Sequence, residues 1–169
     1  MDANALRAMQ APYKDKYKSD PDAAVITLRA HGTLDESKIA CKVETGRALA
    51  VAGLHPATGG SGAELCSGDM LLEALVACAG VTLKAVATAL DIPLKSGVVK
   101  AEGDLDFRGT LGVDREAPVG FREIRLSFDL DTDATDEQIA TLVKLTERYC
   151  VIFQTLNKPP KLGLVVNRV

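Results

Sequence analysis

Between Met70 and Leu90 apolar residues fill nearly every angular position of a 3.6-residue helix, interrupted by Glu73, Thr82, Lys84 and Thr88. A helix apolar on all sides belongs in the middle of a domain, so the pattern predicts a buried central helix, capped by Ser67 or Asp69. A membrane span is not expected, because Glu73 and Lys84 fall inside the run and no basic cluster or second span accompanies it. Further on the pattern narrows to a single face. Thr135 and Gln138 make a capping box, and Ile139, Leu142, Val143, Thr146 and Tyr149 recur on one side of the helix that follows. Asp136, Glu137, Lys144, Glu147 and Arg148 point outward in that register, whereas Cys150 falls on the apolar side and is expected to face the core.

Period-two alternation marks the strands. Three short ones are predicted at Ala24 to His31, Lys38 to Val43 and Arg47 to Val51, forming an antiparallel meander with a turn at Thr45-Gly46. The glycine-rich stretch from Gly53 to Gly68 reads as a surface loop leading into the central helix. After that helix, Val99, Ala101, Leu105 and Phe107 alternate with charged neighbours, as do Ile124, Leu126, Phe128 and Leu130, giving two half-buried strands. The loop Arg108 to Gly120 between them is mobile by composition. A helical piece from Val151 to Leu156 stops before Pro159-Pro160, and a last strand is expected from Leu162 to Val166. The predicted order is βββ-α-ββ-αα-β, an α+β fold. Residues 1–22 form an arm or short helix broken at Pro12, and 23–169 a single domain.

With 169 residues and 47% hydrophobic content the chain can bury one substantial core. A net charge of -3, with both signs interspersed, leaves no patch for nucleic acid or an anionic membrane. Tryptophan is absent and aromatics are only 4%, so a stacking surface for single strands is also missing. The N-terminus lacks the apolar core of a signal peptide, which makes the cytoplasm the expected compartment. Thiols stay reduced there unless they are catalytic or sensing. Cysteines at 41, 66, 78 and 150, without a C-x-x-C and with histidines only at 31 and 55, do not match zinc spacings, so no metal is expected.

The run Gly68-Asp69-Met70-Leu71-Leu72-Glu73-Ala74-Leu75-Val76-Ala77-Cys78 resembles, without gaps, the P-x-E-L-L-L-A-A-L-G-A-C helix of the OsmC/Ohr family of osmotically inducible and organic hydroperoxide resistance proteins. Phe121 to Arg125, Thr146-Glu147-Arg148-Tyr149-Cys150 and Gln154-Thr155-Leu156 resemble the family's second half. The resemblance begins near Ala24 and covers most of the chain. It implies an intertwined homodimer with a thiol-dependent peroxidase site at the interface, no metal or flavin, and a dithiol such as dihydrolipoamide as reductant. By position it makes Cys78 the peroxidatic and Cys150 the resolving cysteine. Asp69 stands where many relatives have glutamate. The peroxide-specialised branch carries an arginine in the turn after the first strand; here that turn, His31 to Lys38, has none, and Lys38 or Arg29 is the nearest substitute cation.

The implied chemistry is attack of a Cys78 thiolate on an organic hydroperoxide, giving a sulfenic acid that condenses with Cys150 to a disulfide. An apolar helix interior raises a thiol's pKa, so Cys78 needs a nearby donor or cation. Asp69 lies nine residues before Cys78, or roughly 13 Å along one helix. It reaches the site only across a dimer interface, or else complements the helix N-terminus. Cys41 alternates with Ile39 and Val43 as a core residue, and Cys66 lies in the loop before the helix. Gly59-Gly60-Ser61-Gly62-Ala63 lacks the final glycine of a nucleophile elbow and reads as a flexible loop, while His31 and His55 read as surface or turn residues. The alternative function is a non-catalytic dimeric binding protein or redox sensor using the same apolar interface pocket, with both cysteines kept for packing or sensing.

Overall fold

Thr135 and Gln138 cap a helix as the sequence predicts. The Thr135 hydroxyl accepts from the Gln138 N–H at 3.3 Å, and the Gln138 side chain accepts from the Thr135 N–H at 2.9 Å. The computed structural model describes residues 2–19, 32–34, 40–44, 49–112 and 114–168. In chain order it contains α1 (Ala3–Ser19), β1 (Gly32–Leu34), β2 (Ala40–Glu44), β3 (Leu49–Gly53), α2 (Ser67–Ala89), β4 (Ser96–Leu105), α3 (Phe107–Thr110), β5 (Phe121–Asp131), α4 (Asp136–Tyr149) and α5 (Val151–Asn157).

A three-stranded antiparallel meander is present, but its first strand, Gly32–Leu34, corrects the reading of His31 to Lys38 as a turn. β2 pairs antiparallel with both β1 and β3, and Cys41 stands opposite Leu34 on one side and Ala52 on the other. The expected strand at Ala24 to His31 and the turn at Thr45-Gly46 lie outside the described residues. β4 and β5 form a separate antiparallel pair whose inner residues alternate with exposed ones, as their period-two pattern requires. A register shift at Asp104/Leu105 lets the Phe121 ring lie over Gly103. A Cβ at Gly103 would meet that ring at 2.5 Å, so only glycine fits there.

Two hydrophobic clusters hold α2 in place. Leu83, Ala87 and Ile92 pack with Leu142 of α4, and Leu75 and Ala79 pack with Cys150. The four α2 residues recur every fourth position and so form one stripe. This corrects the expectation of a helix buried all round: Val81 on another face is 73% exposed. By length and apolarity alone α2 would suffice to cross a membrane. It carries exposed Glu73 and Lys84, however, and it packs against α1, α4, α5 and β4.

Four local expectations are also corrected. The N-cap of α2 is Cys66, whose extended backbone (φ -82, ψ 133) starts the helix without a side-chain bond, and not Ser67 or Asp69. α1 continues through Pro12, since a proline costs one backbone bond and need not end a helix that packs elsewhere. Its Ala3 and Leu6 are buried, and Arg7 Nη2 donates to the Ala89 carbonyl at 3.4 Å. Tyr149 faces out, 58% exposed, and its ring lies beside the Arg148 guanidinium. Leu162 to Val166 is not a strand, because no strand of the described chain pairs with it. Leu162 and Leu164 are left 93% and 92% exposed. Within the loop from Arg108 to Gly120, residues 108–110 complete the one-turn helix α3.

Candidate functional site

Cys150 ends α4 and begins α5. Its own backbone is extended (φ -72, ψ 108), so the chain turns there instead of continuing one helix. That turn leaves the first N–H groups of α5 without partners inside the helix, the usual condition of a helix start. They face the sulfur of Cys78, on α2. The N–H groups of Ile152 and Val151, the Cys150 thiol and the Thr82 hydroxyl lie close enough to the Cys78 sulfur to favour its thiolate form. Burial pushes the Cys78 thiol up, but these donors together more than offset it and hold its pKa below the ordinary value of 9.0. Thr82 lies one helical turn beyond Cys78, and its hydroxyl also bonds the Cys78 carbonyl at 2.8 Å.

Cys150 titrates the other way. Its side chain is fully buried, and burial raises its pKa. The N–H groups of Phe153 and Ile152 lower it, while donating to Cys78 and facing the negative charge there raise it further. Of the pair, Cys78 is therefore the thiol that gives up its proton more readily, and Cys150 the one that keeps it.

The two predicted cysteines thus meet, and Asp69 does not join them: it lies exposed in the first turn of α2, about 13 Å along the helix from Cys78. Cys66 is half-buried at the start of the same helix. His55 is a turn residue, as expected. Its Nδ1 accepts from the Ala57 N–H at 3.0 Å, and its ring stacks on Phe107. Ser61 donates to Glu64 at 2.8 Å within its loop. Arg29, His31 and Lys38 lie outside the described residues.

Sequence reasoning missed Thr82 and the donors of α5. Thr82 stands four residues after Cys78, on the same helix face, and that spacing was a usable signal. Backbone donors carry no side-chain signature. An open apolar groove of ≈ 500 Å³ between α2, β5 and α5 is walled by Leu75, Phe121, Leu126 and Phe153, with Arg122 and Glu123 also lining it; it shares Leu75, Leu126 and Phe153 with the cluster around Cys150, and neither cysteine lines it. A smaller cavity of ≈ 230 Å³ lies against Cys150 and Thr146.

A mixed α+β chain whose central helix packs one cysteine against a second is a dithiol protein by geometry. The sequence profile of the OsmC-like proteins matches residues 60–165, and the chain belongs to that family. Among curated proteins none matches it. Solved structures share its fold. An OsmC-like protein from Mycoplasma pneumoniae superposes with a TM-score of 0.65 at 18% identity, over 79% of this chain and 89% of that one. An organic hydroperoxide resistance protein from Elizabethkingia anophelis gives 0.63 at 15% identity, over 80% and 91%. A third, the organic hydroperoxide resistance protein OsmC from Legionella pneumophila, gives 0.61 at 16% identity, over 80% and 92%.

Proposed function

We propose that the protein is a cysteine-based thiol peroxidase that reduces organic hydroperoxides. The observation that carries this reading is the packing of Cys78 against Cys150, with the pKa of Cys78 lowered and that of Cys150 raised. The Cys78 thiolate attacks the terminal peroxide oxygen, the O–O bond breaks, and the alkoxide leaves as an alcohol once protonated. The Cys78 sulfenic acid then condenses with Cys150. The S–S bond forms, the S–O bond breaks, and the Cys150 proton leaves with the hydroxyl as water. An external dithiol, dihydrolipoamide being one such molecule, returns both thiols, and no bound cofactor takes part.

The apolar groove suits the organic part of the peroxide, because Leu75, Leu126 and Phe153 belong both to the groove and to the cluster around Cys150. We assign the working form as a homodimer. The exposed Val81 and the apolar segment Leu162 to Val166 are surfaces that a second copy would cover. A reducing compartment such as the cytoplasm fits two free thiols held ready for turnover.

The same groove also supports a second reading, a dimeric binding protein or redox sensor for a small apolar ligand. Cys150→Ser separates the two. In a peroxidase, one equivalent of cumene hydroperoxide leaves Cys78 as a sulfenic acid trapped by dimedone. A binding protein shows no such selectivity for Cys78.

A further inference from the structure

Three helical threonines behave in two ways. Thr82 and Thr88 donate to the carbonyls of Cys78 and Lys84, each at 2.8 Å. That is the usual fate of a threonine inside a helix. Thr146 does otherwise: it is 1% exposed, yet its hydroxyl has no hydrogen-bond partner among the described residues. A buried hydroxyl without a partner is rare in a folded chain. It lines the ≈ 230 Å³ cavity together with Cys150, Leu126 and Phe153. Val143 and Glu147, both exposed, line it too, so the cavity reaches the surface. Cys78 is not part of its wall.

We infer that this cavity is where the reducing dithiol enters, that its thiolate attacks the sulfur of Cys150 and not that of Cys78, and that the Thr146 hydroxyl hydrogen-bonds the incoming sulfur. The inference rests on the peroxidase reading above. In the step, a new S–S bond forms between reductant and Cys150 while the Cys78–Cys150 bond breaks, and Cys78 departs as a thiolate. The N–H groups of Ile152 and Val151 hold it. A stabilised thiolate is the better leaving group, which favours attack at the other sulfur. The reductant's second thiolate then attacks its own sulfur in the mixed disulfide. The reductant closes to a disulfide, and Cys150 leaves as a thiolate and takes up a proton. Cys150 has no exposed surface in the reduced protein, and in this route Val143 and Glu147, the exposed residues of the cavity wall, swing aside to admit the thiol, a motion exposed side chains make readily.

The test starts from protein bridged by one equivalent of cumene hydroperoxide. Brief treatment with 2-mercaptoethanol, acid quench and peptide mapping should find the mixed disulfide on Cys150; an adduct on Cys78 overturns the inference. In parallel, Thr146→Val should slow reduction of the bridge by dithiothreitol about tenfold, the rate equivalent of one hydrogen bond. Bridge formation should keep its rate, and the melting temperature should stay level or rise, because no protein partner loses a bond. Thr146→Ser should reduce within about twofold of wild type, since it keeps the one hydroxyl bond that Val removes. Equal reduction rates for Val and wild type, or equal slowing of both half-reactions, overturn the role of Thr146. If no bridge forms at all, the peroxidase reading and this inference fall together; an adduct on the wrong sulfur overturns this one alone.

Discussion

Cys150, where α4 gives way to α5, packs against Cys78 on α2, and the N–H of Ile152 in the first turn of α5 favours the Cys78 thiolate. A thiol inside a hydrophobic cluster thereby becomes the lower-pKa member of its pair without an adjacent cationic side chain among its donors. Reactivity at Cys78 therefore depends on the turn at Cys150 as much as on the cysteine itself.

The first prediction concerns that thiolate. Because the Cys78 pKa is lowered from 9.0 and that of Cys150 raised, alkylation of Cys78 by iodoacetamide should half-saturate below pH 9 and that of Cys150 above it. Thr82→Val removes one donor and should move the Cys78 profile to higher pH, whereas Thr82→Ser should leave it in place. Rate against pH, read by peptide mapping, checks both.

Stability should follow burial and capping. Leu142 is fully buried and joins α4 to the Leu83, Ala87 and Ile92 cluster. Leu142→Ala should cost about 2–5 kcal/mol in urea unfolding. Thr135→Ala, which removes one half of the capping box, should cost about 1 kcal/mol.

Asp106 titrates abnormally. Its carboxylate accepts from Arg108 Nε at 3.0 Å and from Arg108 Nη2 at 2.6 Å, and its pKa falls from 3.8 to about 2. A carboxyl whose folded value is depressed contributes stability above its unfolded value, and loses it as pH falls through the folded one. The contribution is thus complete above about pH 4 and gone below about pH 2. A carbon-13 NMR titration should give a midpoint near 2, and Arg108→Ala should return it toward 3.8.

Assembly tests the exposed apolar surface. Val81 is 73% exposed on α2. Val81→Asp should convert a dimer to a monomer in size-exclusion chromatography with light scattering. A wild-type protein that is monomeric at tens of micromolar would contradict the homodimer.

The elements that carry the two cysteines were legible in the sequence because they rest on periodicity, whereas the pairing of Cys78 with Cys150 came from the resemblance. Leu142, Thr146 and Cys150 share a face, and the capping box at Thr135 starts the helix that presents them. The turn at Cys150 was not legible in full, since an extended residue between two helices leaves no compositional mark where no glycine or proline is needed. The α2 pattern overstated its burial: apolar residues on every side show what a helix can bury, whereas neighbouring elements fully bury only the Leu75, Ala79, Leu83 and Ala87 stripe. Leu162 to Val166 reads as a strand by composition, but a strand exists only when paired, and this one has no partner among the described strands. Asp69 was singled out by its place in a motif, and helix geometry keeps it from Cys78 within one chain.

The central claim is that Cys78 and Cys150 form one redox pair, and it is tested most directly by intact mass and peptide mapping after one equivalent of cumene hydroperoxide, beside hydrogen peroxide and an untreated control. The account predicts rapid loss of two hydrogens mapped to a Cys78–Cys150 bridge, faster with the organic peroxide. Slow, indiscriminate oxidation led by Cys66 would contradict it.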